Sequence, residues 1–197
     1  MSKTLVIYYS RKGENYLGGS LRKIDKGNTE IVAEYIRDAV GADLFEVQTV
    51  KDYDKSYMVC IEEAKKELRD NARPEIKKAL CDISEYDNIV VAGPCWWGTY
   101  PMAIFTQLDK LDLSSKKLFP VMTHEGSGLA DSKKALKKYS SDVGEGIAIQ
   151  GAYAENSKSA VEKWAKQNLV YNYCGADKAI RCFNPFMIKN NCQRHIC

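Results

Sequence analysis

Thr4-Leu-Val-Ile-Tyr-Tyr9, closed by Ser10, is a continuous apolar and aromatic run. A run this short without polar alternation suits a strand buried on both faces of a parallel sheet. After a polar, glycine-rich stretch, Asn28-Thr29-Glu30 opens a segment in which Ile31, Tyr35, Ile36 and Ala39 recur at helical spacing until Gly41. Asn28 reads as the N-cap of that helix and Gly41 as its stop. The opening is therefore a strand, a loop and a helix.

The same alternation continues along the chain. Asp43–Thr49 reads as a second strand, with charged residues among the hydrophobic ones as an edge position allows. Tyr57–Asn71 is a helix rich in Glu, Lys, Ala and Leu, ended by Arg73-Pro74. Asn88–Gly93, Lys117–Thr123 and Gly146–Gln150 are further buried strands, and Ala103–Leu111, Ser132–Tyr139 and Ser157–Asn168 carry helical patterns. Strands alternating with helices imply parallel pairing through right-handed crossovers, with helices on both faces of one sheet. This is the α/β doubly wound, three-layer architecture. Its ligands sit at the carboxyl ends of the strands, where the winding reverses.

Composition bounds the alternatives. A chain of 197 residues, 45% hydrophobic and 28% charged, has the balance of one globular domain. The formal charge of +3 comes from the last residues, where Lys178, Arg181, Lys189 and Arg194 face Asp177 alone, so residues 1–170 are neutral. A neutral body leaves no electrostatic footprint for nucleic acid, and it lacks the acidity that steers many small electron carriers to basic partners. No apolar stretch approaches the roughly 20 residues that span a bilayer, and the start of the chain lacks a signal-peptide pattern. A cytoplasmic location is expected.

Three loops after strands carry the candidate chemistry. The first runs from Ser10 through Arg11, Lys12, Gly13, Glu14 and Asn15 and, past a polar insertion, reaches Gly27-Asn28-Thr29. Hydroxyls, free backbone amides and a helix amino end suit a phosphate dianion, with Ser10 and Thr29 as the side-chain donors. A plain capped turn is the alternative. Neither a dinucleotide fingerprint nor a Gly-Lys-Ser/Thr element occurs, so a monophosphate is the simpler fit. The second loop, Gly93 followed by Pro94, Cys95, Trp96, Trp97, Gly98 and Thr99, sets two indoles at the ligand edge. Aromatic faces beside glycine pack along a flat heterocycle, while backbone groups bond its polar rim; core anchoring is the alternative fate of either tryptophan. The third loop, Thr123 followed by His124, Glu125, Gly126, Ser127 and Gly128, is rich in small residues and donors.

Together, Lys3–Tyr16, Gly27–Glu30, Arg73-Pro74, Pro94–Thr99 and Thr123–Gly128 resemble the bacterial flavodoxin-like proteins, in the same order over roughly residues 3–168. The resemblance implies a five-stranded parallel sheet of order 2-1-3-4-5 and one FMN. It implies phosphate contacts from Ser10, Arg11, Asn15 and Thr29, and ring contacts from Pro94–Thr99 and His124–Gly128. The insertion between Gly13 and Gly27 departs from the short family pattern, leaving either Asn15 or Asn28 to face the phosphate. FMN would supply the redox chemistry, so no catalytic side chain is assigned, and His124 is a candidate flavin or substrate contact. The expected function is transfer of electrons or hydride from NAD(P)H or a redox protein to a small acceptor such as a quinone. A single-electron carrier and a flavin-free binding domain of the same fold are the alternatives. Aromatics exposed around the flavin would suit a homodimer.

Residues 171–197 follow the expected domain of residues 1–170 as an extension bearing Cys174, Cys182, Cys192 and Cys197. They lack the close CxxC pairs of a zinc site, and no metal is expected. Cys95, with no His or CxxC nearby in sequence, reads as a small packing residue.

Overall fold

In the computed structural model, which describes residues 2–170, strand β1 (Thr4–Tyr8) is buried along its whole length. Leu5 and Ile7 enter one core, while Val6 and Tyr8 enter another on the opposite face. The two-residue period of a strand sends alternate side chains to opposite faces, so an unbroken apolar run is what a two-sided strand requires. The Cys-containing extension expected beyond residue 170 lies outside the described residues.

Helix α1 (Asn28–Val40) returns the chain to β4 (Asp43–Glu46), which pairs parallel to β1 with Leu5 opposite Asp43 and Ile7 opposite Phe45. Gly41, at φ 68°, ends α1 by donating its N–H to the Arg37 carbonyl at 2.8 Å. Helix α2 (Tyr57–Arg69) leads to β5 (Asn88–Pro94), which pairs parallel to β1 on its other edge with Val90 opposite Val6. Then come α3 (Met102–Leu108), β6 (Lys117–His124), α4 (Ser132–Leu136), β7 (Ile147–Gln150), a 3-10 segment (Gly151–Asn156) and α5 (Lys158–Asn168). The five-stranded sheet has order β4-β1-β5-β6-β7, the expected 2-1-3-4-5 pattern. Its winding reverses between β1 and β5.

Three layers result. On the Val6 face lie Val32, Ala33 and Ile36 of α1 with Val161, Trp164 and Ala165 of α5. On the Leu5 face lie Ile104, Phe105 and Leu108 of α3 with Ala135 and Leu136 of α4. Each Val, Ile, Leu or Phe side chain among them removed from water contributes about 1.5–3 kcal/mol, so the sheet is held from both sides.

Two readings of the sequence need correction. The second strand stops at Glu46 rather than Thr49, because the chain turns off to form an isolated antiparallel bridge between Thr49 and Ile76. The polar insertion after Gly13 is not a loop. It is a hairpin of β2 (Gly13–Leu17) and β3 (Ser20–Ile24), paired from Gly13 opposite Ile24 to Leu17 opposite Ser20. Gly18 and Gly19, at φ 58° and 92°, form its turn. Two consecutive left-handed residues match the strand twist, and glycine adopts them without steric cost. The Gly-Gly pair between two short runs was the signal for it in the sequence.

Candidate functional site

The first loop is built around Gly27. Gly27, not Asn28, is the N-cap of α1, with extended φ and ψ of −72° and 145°, and its carbonyl accepts the Ile31 N–H at 3.1 Å. A Cβ on Gly27 would lie 2.1 Å from Ser10 Oγ and 2.7 Å from the Arg11 carbonyl oxygen, so the end of β1 and the start of α1 touch only because residue 27 has no side chain. Ser10 Oγ accepts the Glu30 N–H at 3.0 Å, which leaves its own hydroxyl proton to donate elsewhere. Among the described residues, the N–H groups of Arg11, Lys12, Asn28 and Thr29 have no hydrogen-bond acceptor. Free amides at a helix amino end next to a hydroxyl are the donor set that a phosphate monoester requires, and the residues present fit one.

The other members of the first loop face elsewhere. The Arg11 guanidinium donates to the carbonyls of Glu14, Asp54 and Lys55 at 3.2, 2.8 and 3.0 Å. Asn15 lies on the hairpin and donates to the Arg11 and Gly13 carbonyls. Asn28 extends toward Gly151, where an added Cβ would lie 2.5 Å from its Nδ2. Thr29 is buried, its hydroxyl 2.8 Å from that of Thr123. In the structure Arg11 and Asn15 brace the loop backbone, and Thr29 ties α1 to β6.

The second loop is a tight reversal. Trp96 and Thr99 exchange both backbone hydrogen bonds, N–H to carbonyl, at 2.9 and 3.2 Å. Trp97 and Gly98 between them have φ of 52° and 85°, the mirror-image turn in which glycine at the second position relieves strain. The turn divides the two tryptophans. Trp96 packs edge-on against Tyr9 and Tyr53, with ring centroids 5.4 and 5.0 Å away. Trp97 is 47% exposed, donates Nε1–H to the Ile61 carbonyl at 2.8 Å and has Lys65 Nζ 4.8 Å from its ring centroid. Trp96 thus anchors the loop, and Trp97 presents an indole at the surface.

The third loop is joined to the other two. Cys95 donates its N–H to the Thr123 carbonyl at 2.7 Å, and Asp131 donates its N–H to the Gly98 carbonyl at 2.9 Å. Glu125 Oε2 accepts the Gly18 N–H at 3.0 Å, while its buried Oε1 has no hydrogen-bond partner. The Gly126 N–H donates to His124 Nδ1 at 2.9 Å. That bond makes Nδ1 an acceptor, so the neutral ring carries its proton on Nε2. Gly126 and Ser127 are exposed, and Gly128 is half-buried at φ 61°.

The convergence of the three loops on one sheet edge is therefore physical, made of hydrogen bonds between residues far apart in sequence. A groove of about 580 Å³ lies elsewhere, beside α2, lined by Asp52, Tyr53, Glu63, Glu67, Asp70 and Arg73 among others. Its charged lining does not suit a flat apolar heterocycle.

Comparison with known proteins agrees with this architecture. The flavodoxin family model matches residues 24–168, three quarters of the chain. The chain belongs to the flavodoxin family. The match begins at Ile24, so β1 and most of the hairpin fall before it. A protein of Bacteroides eggerthii DSM 20697 described as a flavoprotein is 26% identical, with 87% of this chain and 100% of that one covered at a TM-score of 0.68. One from Bacteroides uniformis ATCC 8492 with the same description is 26% identical, with 84% and 98% covered at a TM-score of 0.65. A Lactobacillus acidophilus NCFM flavoprotein solved in complex with FMN is 21% identical, with 79% and 98% covered at a TM-score of 0.57, and shares the fold. Among curated proteins, none matches this chain. No helix among the described residues is long and apolar enough to cross a membrane.

Proposed function

We propose that this flavodoxin-family chain binds one FMN without covalent attachment and moves electrons or a hydride from a reduced donor such as NAD(P)H to a small acceptor such as a quinone. The observation that carries the reading is the joining of the three loops: Thr29 to Thr123, Cys95 to Thr123, and Gly98 to Asp131. These contacts fix a phosphate-binding helix end and two ring-binding loops relative to one another before any ligand arrives, and preorganisation of this kind lowers the cost of binding.

Bound FMN supplies the redox chemistry. The chain's own groups hold it. The Ser10 hydroxyl and the amides of Arg11, Lys12, Asn28 and Thr29 take the phosphate, with the positive end of the α1 dipole beneath them. Backbone groups of Pro94–Thr99 and the Trp97 indole meet one side of the ring, and His124–Gly128 the other. His124 offers Nε2–H as a donor to the ring or to a substrate above it. Residues 1–170 form the flavin domain and residues 171–197 an extension to it, in a cytoplasmic protein whose exposed Trp97 suits a homodimer contact.

The visible spectrum of the purified protein, followed by titration with FMN, tests the cofactor. Oxidised-flavin absorbance, or saturable binding at one equivalent, is the expected result; neither after incubation with excess FMN would leave a flavin-free binding domain. Unchanged affinity and reduction potential in the Trp97→Ala/Gly98→Ala protein would remove the second loop from the site. Steady NAD(P)H oxidation with a quinone separates the enzyme from a single-electron carrier, which would turn over only through a protein partner.

A further inference from the structure

The hairpin of β2 and β3 pairs with no other strand, and it concentrates positive charge in a neutral body. Residues 11–26 hold Arg11, Lys12, Arg22, Lys23 and Lys26 against Glu14 and Asp25, a net of +3 within residues 1–170 that sum to zero. Lys26 is paired with Glu34. Among the described residues, Lys12, Arg22 and Lys23 have no ion-pair partner, and neither has Lys55 just before α2. Two nearby carboxylates are occupied with backbone: Glu14 Oε1 accepts the Tyr57 N–H at 2.7 Å, and Asp54 Oδ1 accepts the Ser56 N–H at 2.8 Å. Inside this cationic rim lie exposed apolar side chains. The cross-strand partners Tyr16 and Leu21 share one face of the hairpin with Lys23. The Tyr16 ring stacks on that of Tyr57 at 6.1 Å and 24°, and Met58 follows in α2. Tyr16 is 41%, Leu21 47% and Met58 57% exposed. One turn further along α2, the Ile61 carbonyl accepts the Trp97 Nε1–H of the second loop. The face therefore runs from the insertion in the first loop toward the second.

We propose that the β2–β3 hairpin and the start of α2 form the docking surface for a small acidic electron-transfer protein. An apolar centre of Tyr, Leu and Met within a charged rim is the anatomy of a protein interface. The rim's sign selects the partner, because unpaired cations steer an anionic protein to the face and repel a basic one. A second copy offering the same face would set these cations against one another. A lipid surface suits the face less well, since three apolar side chains, one of them held against Tyr57, bury too little to retain the chain on a bilayer. The inference rests on the FMN reading above for its redox purpose: at each encounter one electron passes between the partner's centre and FMN, one gaining what the other loses.

The experiment uses the full chain, with and without added FMN, and measures binding at low and at physiological salt. The probes are a plant-type iron–sulfur ferredoxin, which is acidic, and cytochrome c, which is basic. Ferredoxin is expected to bind and to weaken as salt rises, and cytochrome c to bind less well. Arg22→Gln/Lys23→Gln/Lys55→Gln removes three exposed charges without placing a new one. Its affinity for ferredoxin is expected to fall by about tenfold or more, chiefly through slower association, with circular dichroism and FMN affinity as in wild type. Residues 171–197 are the same in both proteins, so the difference reads the hairpin face. Ferredoxin binding that is equal in the two proteins, absent from wild type or indifferent to salt overturns the proposal. So does wild-type binding to phosphatidylserine vesicles that the triple variant loses while ferredoxin is ignored. Sedimentation showing a dimer that Leu21→Ser disperses would give the face to a second copy and overturn it equally. Charge-dependent ferredoxin binding by a chain that takes up no FMN would instead sink the FMN reading and leave the docking surface standing.

Discussion

Thr29 and Thr123, ninety-four residues apart in sequence, are joined by a buried hydrogen bond of 2.8 Å between their hydroxyls, and this bond holds the first turn of α1 against the carboxyl end of β6. Two of the three loops diverge from that point, so their spacing depends on it. Thr29→Val and Thr123→Val each leave one buried hydroxyl without a partner, and each is expected to cost about 1–2 kcal/mol in urea unfolding. The double variant removes both polar groups, and its loss should fall short of the sum by about 1 kcal/mol. Simple additivity in the cycle would show that the two hydroxyls do not act as a pair.

Gly27 is fixed by contact rather than by conformation, since its φ of −72° is open to any residue. Gly27→Ala puts a methyl group 2.1 Å from Ser10 Oγ and 2.7 Å from a backbone oxygen, and the backbone cannot yield without opening the loop between β1 and α1. FMN affinity by fluorescence quenching is expected to fall by about tenfold or more, equivalent to at least about 1.4 kcal/mol. Affinity equal to wild type would mean that the loop is not where the cofactor's phosphate binds.

Glu67, in the last turns of α2, is half-buried, and its Oε2 accepts the Tyr53 hydroxyl at 2.6 Å. Burial raises its carboxyl above the ordinary range, against the opposing pull of the Tyr53 bond. A carboxyl raised in the folded state binds its proton more tightly there than in the unfolded chain. Its contribution to stability is therefore complete below the ordinary glutamate value of about 4.3 and is lost as pH rises through the folded value. Glu67→Gln keeps an acceptor for Tyr53 and cannot ionise. The variant should gain in urea midpoint relative to wild type as the pH is raised from about 4 to about 7, and a difference that stays constant with pH would contradict the assignment.

Cys60 is buried, with its thiol pushed up to about 11 by burial, whereas Cys81 is exposed. Only the thiolate is nucleophilic. Iodoacetamide at neutral pH, read by peptide mass spectrometry, should label Cys81 promptly and Cys60 only as fast as the fold opens. Equal labelling of the two in the native protein would refute the burial of the α2 face that Cys60 occupies.

Much of the fold was legible because its signals are local. The apolar run at Thr4–Tyr9, the stop at Gly41 and the helix of Glu, Lys, Ala and Leu after Tyr57 each depend on residues within one or two turns of one another. Their alternation then restricts the sheet to parallel pairing. The three candidate loops were legible as loops for the same reason, since each follows its strand directly. The Gly18-Gly19 pair was also on the page as a hairpin signal. Inside a stretch dense in polar residues, it read as part of a loop.

What the sequence by itself determined is the doubly wound layering and the edge on which the loops gather, because strand and helix periods are written in neighbouring residues. The tertiary structure alone decided what each loop residue does there. Trp96 and Trp97 are adjacent and chemically identical, yet one packs between Tyr9 and Tyr53 while the other stays at the surface. Arg11, placed beside a phosphate site by sequence, is drawn off to the carbonyls of Asp54 and Lys55. Glu125 bonds an amide on a hairpin more than a hundred residues earlier. Such outcomes turn on which distant group arrives within about 3 Å, and that separation is set by the packing of the whole chain.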